Sequence, residues 1–209
     1  MSGLAPSFRS TGGSPSEPPQ LTNAENFASW FVDDPNYNVR IPSVLTASRS
    51  AWGHLQFNYP EGFFPLDGQG LGNFADTGHN HHFTMTYLGR WTYLADQPNL
   101  FEFASDDDLW VFINGRLWVD LGGMHPAGSS RVVLDLNQDA VPLGLRHRHR
   151  YTYQLFFAER HPGSSALIAT LPQYTANVPE TPAGTPVLLV VGGILLSRFR
   201  RQRTPPSSP

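Results

Sequence analysis

From residue 21 to residue 174 the chain alternates short apolar runs with clusters of turn-forming residues. The runs cover 27–32, 52–59, 82–93, 100–104, 109–113, 117–121, 132–136, 151–158 and 167–171. Most are too short to show a helical period, and β-branched and aromatic residues dominate them, so the spacing predicts many short strands. The expected fold is all-β: an antiparallel β-sandwich of the jelly-roll kind, with short or no helices. One helical turn is expected over 23–31, where Asn23 can cap and Phe27, Trp30 and Phe31 recur three and four apart. Between 109–113 and 117–121 stands Asn114-Gly115, a strong hairpin signal, which sets Asp106, Asp107 and Asp108 at a strand-to-strand corner.

Composition agrees with this pattern. The 209 residues can bury one good core, and 14 Phe, 7 Tyr and 5 Trp with 19 Gly and 19 Pro are the balance of strands and turns. The chain has no Lys, which excludes Schiff-base and P-loop lysine chemistry. It has no Cys, so neither disulfides nor thiolate metal sites arise. The net charge of −3 hides an asymmetry, because Arg198, Arg200, Arg201 and Arg203 are gathered near the end and leave an acidic body. Nucleic acid is not an expected partner of that body.

The expected organisation is a disordered Pro/Gly/Ser-rich segment at 1–20, a β-sandwich domain at 21–175 and a linker at 176–186. A hydrophobic segment with an Arg cluster comes next at 187–203, then a disordered end at 204–209. The apolar run 187–196 is shorter than the roughly 20 residues that span a bilayer. Its linker before and arginines after give it the positive-inside pattern of an anchor or sorting tail, the one expected membrane contact. No basic stretch ahead of an apolar one is visible in 1–20, so an extracellular or cell-surface location is expected only with a start further upstream or another export route.

Three adjacent carboxylates at a tight corner repel one another unless something offsets them. Hard oxygen donors on a turn suit Ca²⁺; the alternative is a solvated acidic turn. His125, after Gly122-Gly123, either lines a ligand site or satisfies a buried carbonyl. His79, His81 and His82 read as the approach to a strand, not as a zinc site. The alternating basic residues 146–150 suit either an anionic ligand or a solvated edge. The tryptophans are expected mostly in the core, with Trp110 and Trp118 as a cross-strand pair. No Ser-His-Asp order, zinc motif or phosphate loop is present, and no enzyme is expected. A glycosidase would need a carboxylate pair such as Asp67 with Asp107 or Glu159.

Ordered motifs across about 150 residues carry a resemblance. They are Asn26-Phe-Ala-Ser-Trp-Phe31, Phe63-Phe-Pro-Leu-Asp67, Asn80-His-His-Phe-Thr84, Ser105-Asp-Asp-Asp-Leu-Trp-Val-Phe-Ile-Asn-Gly115, Asp120-Leu-Gly-Gly-Met-His125 and Phe156-Phe-Ala-Glu-Arg-His161 with Ser165. The body resembles the fibro-slime domain family, a branch of the protective-antigen-like carbohydrate-binding β-sandwiches. The resemblance implies a Ca²⁺ held by Asp106 and Asp107, joined by a cis peptide, with a carbohydrate on or beside the ion. It implies ligand-binding roles around Asp108, Asn114, His125, His161, Ser164 and Ser165. Asp108 stands where the wider superfamily tends to have Gly, and Ala166 where fibro-slime relatives tend to have a ligating Asn. The segment Val178-Pro-Glu-Thr-Pro182, together with the apolar run and the arginines after it, resembles a PEP-CTERM-type sorting tail. The expected function is a calcium-assisted carbohydrate-binding or adhesion domain at the cell surface or in an extracellular matrix. The alternative is a structural matrix module that binds protein partners and no small ligand.

Overall fold

The computed structural model describes residues 24–35, 38–50, 53–70, 72–125, 131–171 and the backbone of 187–197. Residues 1–20, the linker 176–186, the arginines after 197, Asn23 and Trp52 lie outside the described residues. Ten strands account for most of the fold: β1 (Asn38–Arg49), β2 (Leu55–Tyr59), β3 (Phe83–Tyr93), β4 (Leu100–Ser105), β5 (Asp108–Ile113), β6 (Arg116–Leu121), β7 (Arg131–Asp135), β8 (His149–Glu159), β9 (Leu167–Leu171) and β10 (Val187–Ser197). Two single-turn helices, α1 (Ala24–Ala28) and α2 (Ala140–Leu143), complete the described elements.

The strands form two antiparallel sheets, ordered β6-β5-β8-β3-β10-β1 and β1-β2-β9-β4-β7. The chain is thus the expected all-β sandwich. Strand β1 serves both sheets: residues 38–47 pair with β10, and Ser48 and Arg49 pair with β2. Pro42 argues against a strand here, because proline cannot donate to the ladder. The register shifts between Ile41 and Ser43, so the proline falls in an irregularity that needs no donor from it. The apolar run expected as a membrane or sorting tail pairs as β10 between β1 and β3. No helix among the described residues is long and apolar enough to cross a membrane.

The core lies between the sheets, with Phe57, Phe63, Phe83, Trp91, Phe101, Phe103, Tyr153 and Phe157 among its large side chains. A second cluster covers the opposite face of β5 and β8, where Phe27 and Trp30 pack on Trp110, Phe112, Phe156 and Ala158. This covering explains why 109–113 is apolar throughout instead of alternating. Leu109, Val111 and Ile113 face the main core, and Trp110 and Phe112 face the N-terminal segment. Trp110 and Trp118 do not form the expected pair. A regular two-residue turn already sets Trp110 opposite Val119, the bulge between Val111 and Phe112 shifts it to Asp120, and the Trp118 indole reaches the Asp139 carboxylate.

Candidate functional site: the acidic corner and its groove

Strand periodicity places each acid. Asp108 lies opposite Ala158 in the β5–β8 ladder, so Asp107 continues the inward row of Leu109 while Glu159 continues the inward row of Tyr153, Leu155 and Phe157. Both carboxyls therefore point into the edge of the core. Asp108 and Arg160 fall on the other face, where they form an ion pair whose side chains are 1% and 8% exposed, with the guanidinium 5.6 Å from the Trp30 ring. Asp106, Asp107 and Glu159 are as deeply buried, at 6%, 2% and 2% exposure. A solvated acidic turn is excluded by these numbers.

The partners come from two loops, 122–125 and 160–166, and from the end of β4. Asp106 Oδ2 accepts from the Ser164 hydroxyl at 2.7 Å and Oδ1 from the Ala166 amide at 2.8 Å. Its carbonyl accepts the His125 amide at 2.8 Å. Asp107 Oδ2 accepts the amides of Arg160 and His161 at 2.8 and 3.0 Å, and Ser105 Oγ donates to the Asp107 carbonyl. Asp108 Oδ1 accepts the Gly123 amide. The position where a ligating Asn was expected thus contributes the backbone N–H of Ala166 to Asp106. The expected cis bond between Asp106 and Asp107 is trans, as every described peptide is, which is the form favoured by about 3 kcal/mol.

Four carboxyls share this corner with one guanidinium. Burial, then the charge of Asp107, pushes Glu159 up to about 10, so it is protonated at neutral pH. Burial also raises Asp107, which shares a hydrogen bond with Glu159, the protonated Glu159 being the donor. His81 Nδ1 lies 3.9 Å from Glu159 Oε1, both side chains wholly buried, and burial lowers the His81 pKa. The two face each other as neutral groups, not as an ion pair.

A hard divalent cation would suit these residues by their oxygen chemistry alone, since carboxyls outnumber the fixed cation. Asp106, Asp107 and Glu159 would hold the ion. As they stand, the aspartates are turned to N–H and O–H donors, and among the described residues no three His, Cys, Asp or Glu are grouped to hold a metal.

Next to the corner lies an open groove of about 530 Å³. Pro60, Glu61, Gly62, Phe64 and His79 line it together with Ala104, Ser105, Gly163, Ser164, Ala166 and Ile168. Paired hydrogen bonds between Phe63 and Ser165 join the two segments: the Phe63 amide donates to the Ser165 carbonyl, and the Ser165 hydroxyl to the Phe63 carbonyl.

The residues singled out from sequence divide accordingly. Asp106, Asp107, Asp108, His161, Ser164 and Ser165 come together, although His161 acts through its amide and Ser165 is wholly buried as a brace. His125 adjoins the corner through its amide, and its ring Nε2 lies 3.3 Å from the Leu121 carbonyl, the second of the two roles expected for it. Asn114 is not part of the site. It is the first residue of the two-residue hairpin turn, with φ of 47° before Gly115 at 75°, and its amide donates to the Leu143 carbonyl. The length of β5, roughly 20 Å at 3.3 Å per residue, separates it from the corner. Glu159 and Arg160 carry no expected binding role by sequence, yet the inward parity of β8 singles out Glu159 as a buried acid.

No family model matches the chain. It is 37% identical over 153 residues to protein psiD of Dictyostelium discoideum, a match covering 69% of the chain and 28% of psiD. It is 35% identical to psiC of the same organism, covering 70% of the chain and 28% of that relative. With psiR the identity is 34%, over 72% of the chain and 15% of the relative. The chain therefore spans under a third of the length of these relatives. Among solved structures it is similar to a GH31 alpha-xylosidase from Xanthomonas citri, at TM-score 0.30 and 14% identity over 79% of the chain and 19% of the enzyme. A beta-D-glucuronidase from Dictyoglomus thermophilum gives TM-score 0.29 and 10% identity over 79% of the chain and 29% of the enzyme. Likenesses this low bear on neither fold nor chemistry. By sequence, the chain is a relative of the Dictyostelium psi proteins and corresponds to one segment of them.

Proposed function

We propose that this chain is a carbohydrate-binding module for adhesion at a cell surface or in an extracellular matrix, assisted by a calcium ion at the Asp106–Asp107 corner. The observation that carries the reading is the buried surplus of carboxyls over the one guanidinium at the edge of an open groove. Calcium would supply charge neutralisation and open coordination positions for sugar hydroxyls. The protein's own residues hold the loops in place: Ser164 and Ala166 fix Asp106, the Arg160 and His161 amides fix Asp107, and Arg160 neutralises Asp108. The motifs shared with the fibro-slime domains support the same reading, and secretion belongs to the proposal with it. The test is glycan binding by the full chain in calcium and in chelator, beside Asp107→Asn. Binding that needs both calcium and Asp107 supports the reading. Assembly with a protein partner, without glycan binding in either buffer, favours the structural module.

A further inference from the structure

The groove itself has features that the acidic corner does not explain. Phe64 and His79 stack face to face across its wall, ring centroids 3.9 Å and planes 9° apart. The His79 side chain is nonetheless 43% exposed, so the pair is open to solvent and is not core packing. It is also held still. His79 Nδ1 sits 2.6 Å from Asp67 Oδ2, Asp67 Oδ1 accepts the Asn80 amide at 2.8 Å, and the His81 ring meets Phe64 edge-on at 5.0 Å. A flat surface fixed in advance costs little to order on binding.

In the same groove, Ala104, Ala166 and Ile168 provide an apolar lining, and Ser164 provides a hydroxyl. That hydroxyl donates its proton to Asp106 and keeps lone pairs that can accept from a ligand. The groove's charge has one sign. Its lining holds one carboxylate, Glu61, and no arginine, the chain has no lysine, and the acidic corner adjoins it. An anionic ligand would meet repulsion there, because the calcium ion of the reading above is matched by Asp106 and Asp107 and His79 is paired with Asp67, so neither leaves a net positive charge.

We propose that this groove is the saccharide-binding site, that the Phe64–His79 pair stacks on the C–H face of a pyranose ring, and that the ligand class is neutral or amino-substituted hexoses, not sialylated or sulfated glycans. The proposal rests on the glycan-binding reading above and adds to it a place, a contact and a charge preference. Glu61 at the rim favours an ammonium or hydroxyl group on the sugar.

The experiment uses the full 209-residue chain on an array of neutral hexoses, hexosamines, and sialylated and sulfated saccharides, then calorimetry on the strongest neutral or amino saccharide. His79→Ala removes half of the stacked pair, and Phe64→Leu keeps an apolar side chain while losing the flat face. Melting curves of both variants check that the fold persists. Each substitution is expected to weaken binding by roughly tenfold, the worth of one aromatic contact, without changing calcium affinity. Unchanged glycan affinity in both variants, with binding still lost in Asp107→Asn, overturns the groove and leaves the calcium reading standing. Preferred binding of sialylated or sulfated saccharides overturns the charge preference. No glycan binding by the parent chain overturns both readings together.

Discussion

Strands β5 and β8 run side by side through the molecule, and their middles and their ends are equally buried but built from opposite chemistry. In the middle, Leu109, Val111, Tyr153, Leu155 and Phe157 face one core while Trp110, Phe112 and Phe156 face another. At the end, the same two rows continue as Asp107 and Glu159 on the inner face, and Asp108 with Arg160 on the outer. Burial stabilises the first set by its apolar area. In the second set burial is a cost, offset only where each group finds a partner. The difference teaches that hydrophobic content decides which way a strand faces, and that a strand can carry a polar group inward at its end if neighbouring loops supply donors.

Substitutions can separate the two regimes. Phe157→Ala, in the apolar middle, is expected to cost the most, about 3–5 kcal/mol, read by chemical denaturation and independent of pH and calcium. Arg160→Met is expected to cost about 3 kcal/mol, since it leaves Asp108 buried without its cation. Adding Asp108→Leu should return much of that loss, whereas a second apolar truncation in the core would only add to the first. An additive double variant would show that the ion pair behaves like ordinary packing.

Glu159→Gln sharpens the contrast in the opposite direction. The Glu159 carboxyl, pushed up from 4.5 to about 10, keeps in the folded chain a proton that the unfolded chain releases above about pH 4.5. Its contribution to stability is complete below that pH and declines as the pH rises towards 10. In calcium-free buffer at pH 8, Glu159→Gln should therefore stabilise the chain by at least about 1.4 kcal/mol, one pKa unit's worth, with little effect at pH 4. A loss of stability at pH 8 would mean that the carboxyl is not held protonated. The smallest effect is expected at the far end of β5. Asn114→Ala strains a left-handed position and removes the bond to Leu143, costing about 1–2 kcal/mol with no change in calcium or glycan binding.

Much of this was legible in the sequence, in places where a local pattern has one physical solution. Asn114-Gly115 dictates a tight hairpin, and the runs 109–113 and 151–158 mark strands with both faces covered. Strand β1 was hidden because Pro42 contradicts strand propensity, and only a register shift reconciles the two. The failed Trp110–Trp118 pairing has another origin, since the register of a two-residue turn at Asn114-Gly115 already sets Trp110 opposite Val119. Of the site, the acidic triplet stood out by its charge. Of the donors, His161 and Ser164 were named through the family resemblance, whereas Arg160 and Ala166 donate backbone amides that carry no residue signature. Glu159 was within reach of parity along β8. The Phe64–His79 stack was not, since it joins residues from separate loops.

The most direct measurement is a calcium titration of the chain by calorimetry, with thermal melting in calcium and in chelator, beside Asp107→Asn. The expected result is saturable heat and, at a hundred times the dissociation constant, about 2.7 kcal/mol of added stability, both lost in the variant. Neither heat nor a melting shift in the parent chain would contradict a calcium-assisted site and leave the corner as a clamp built from its own hydrogen bonds.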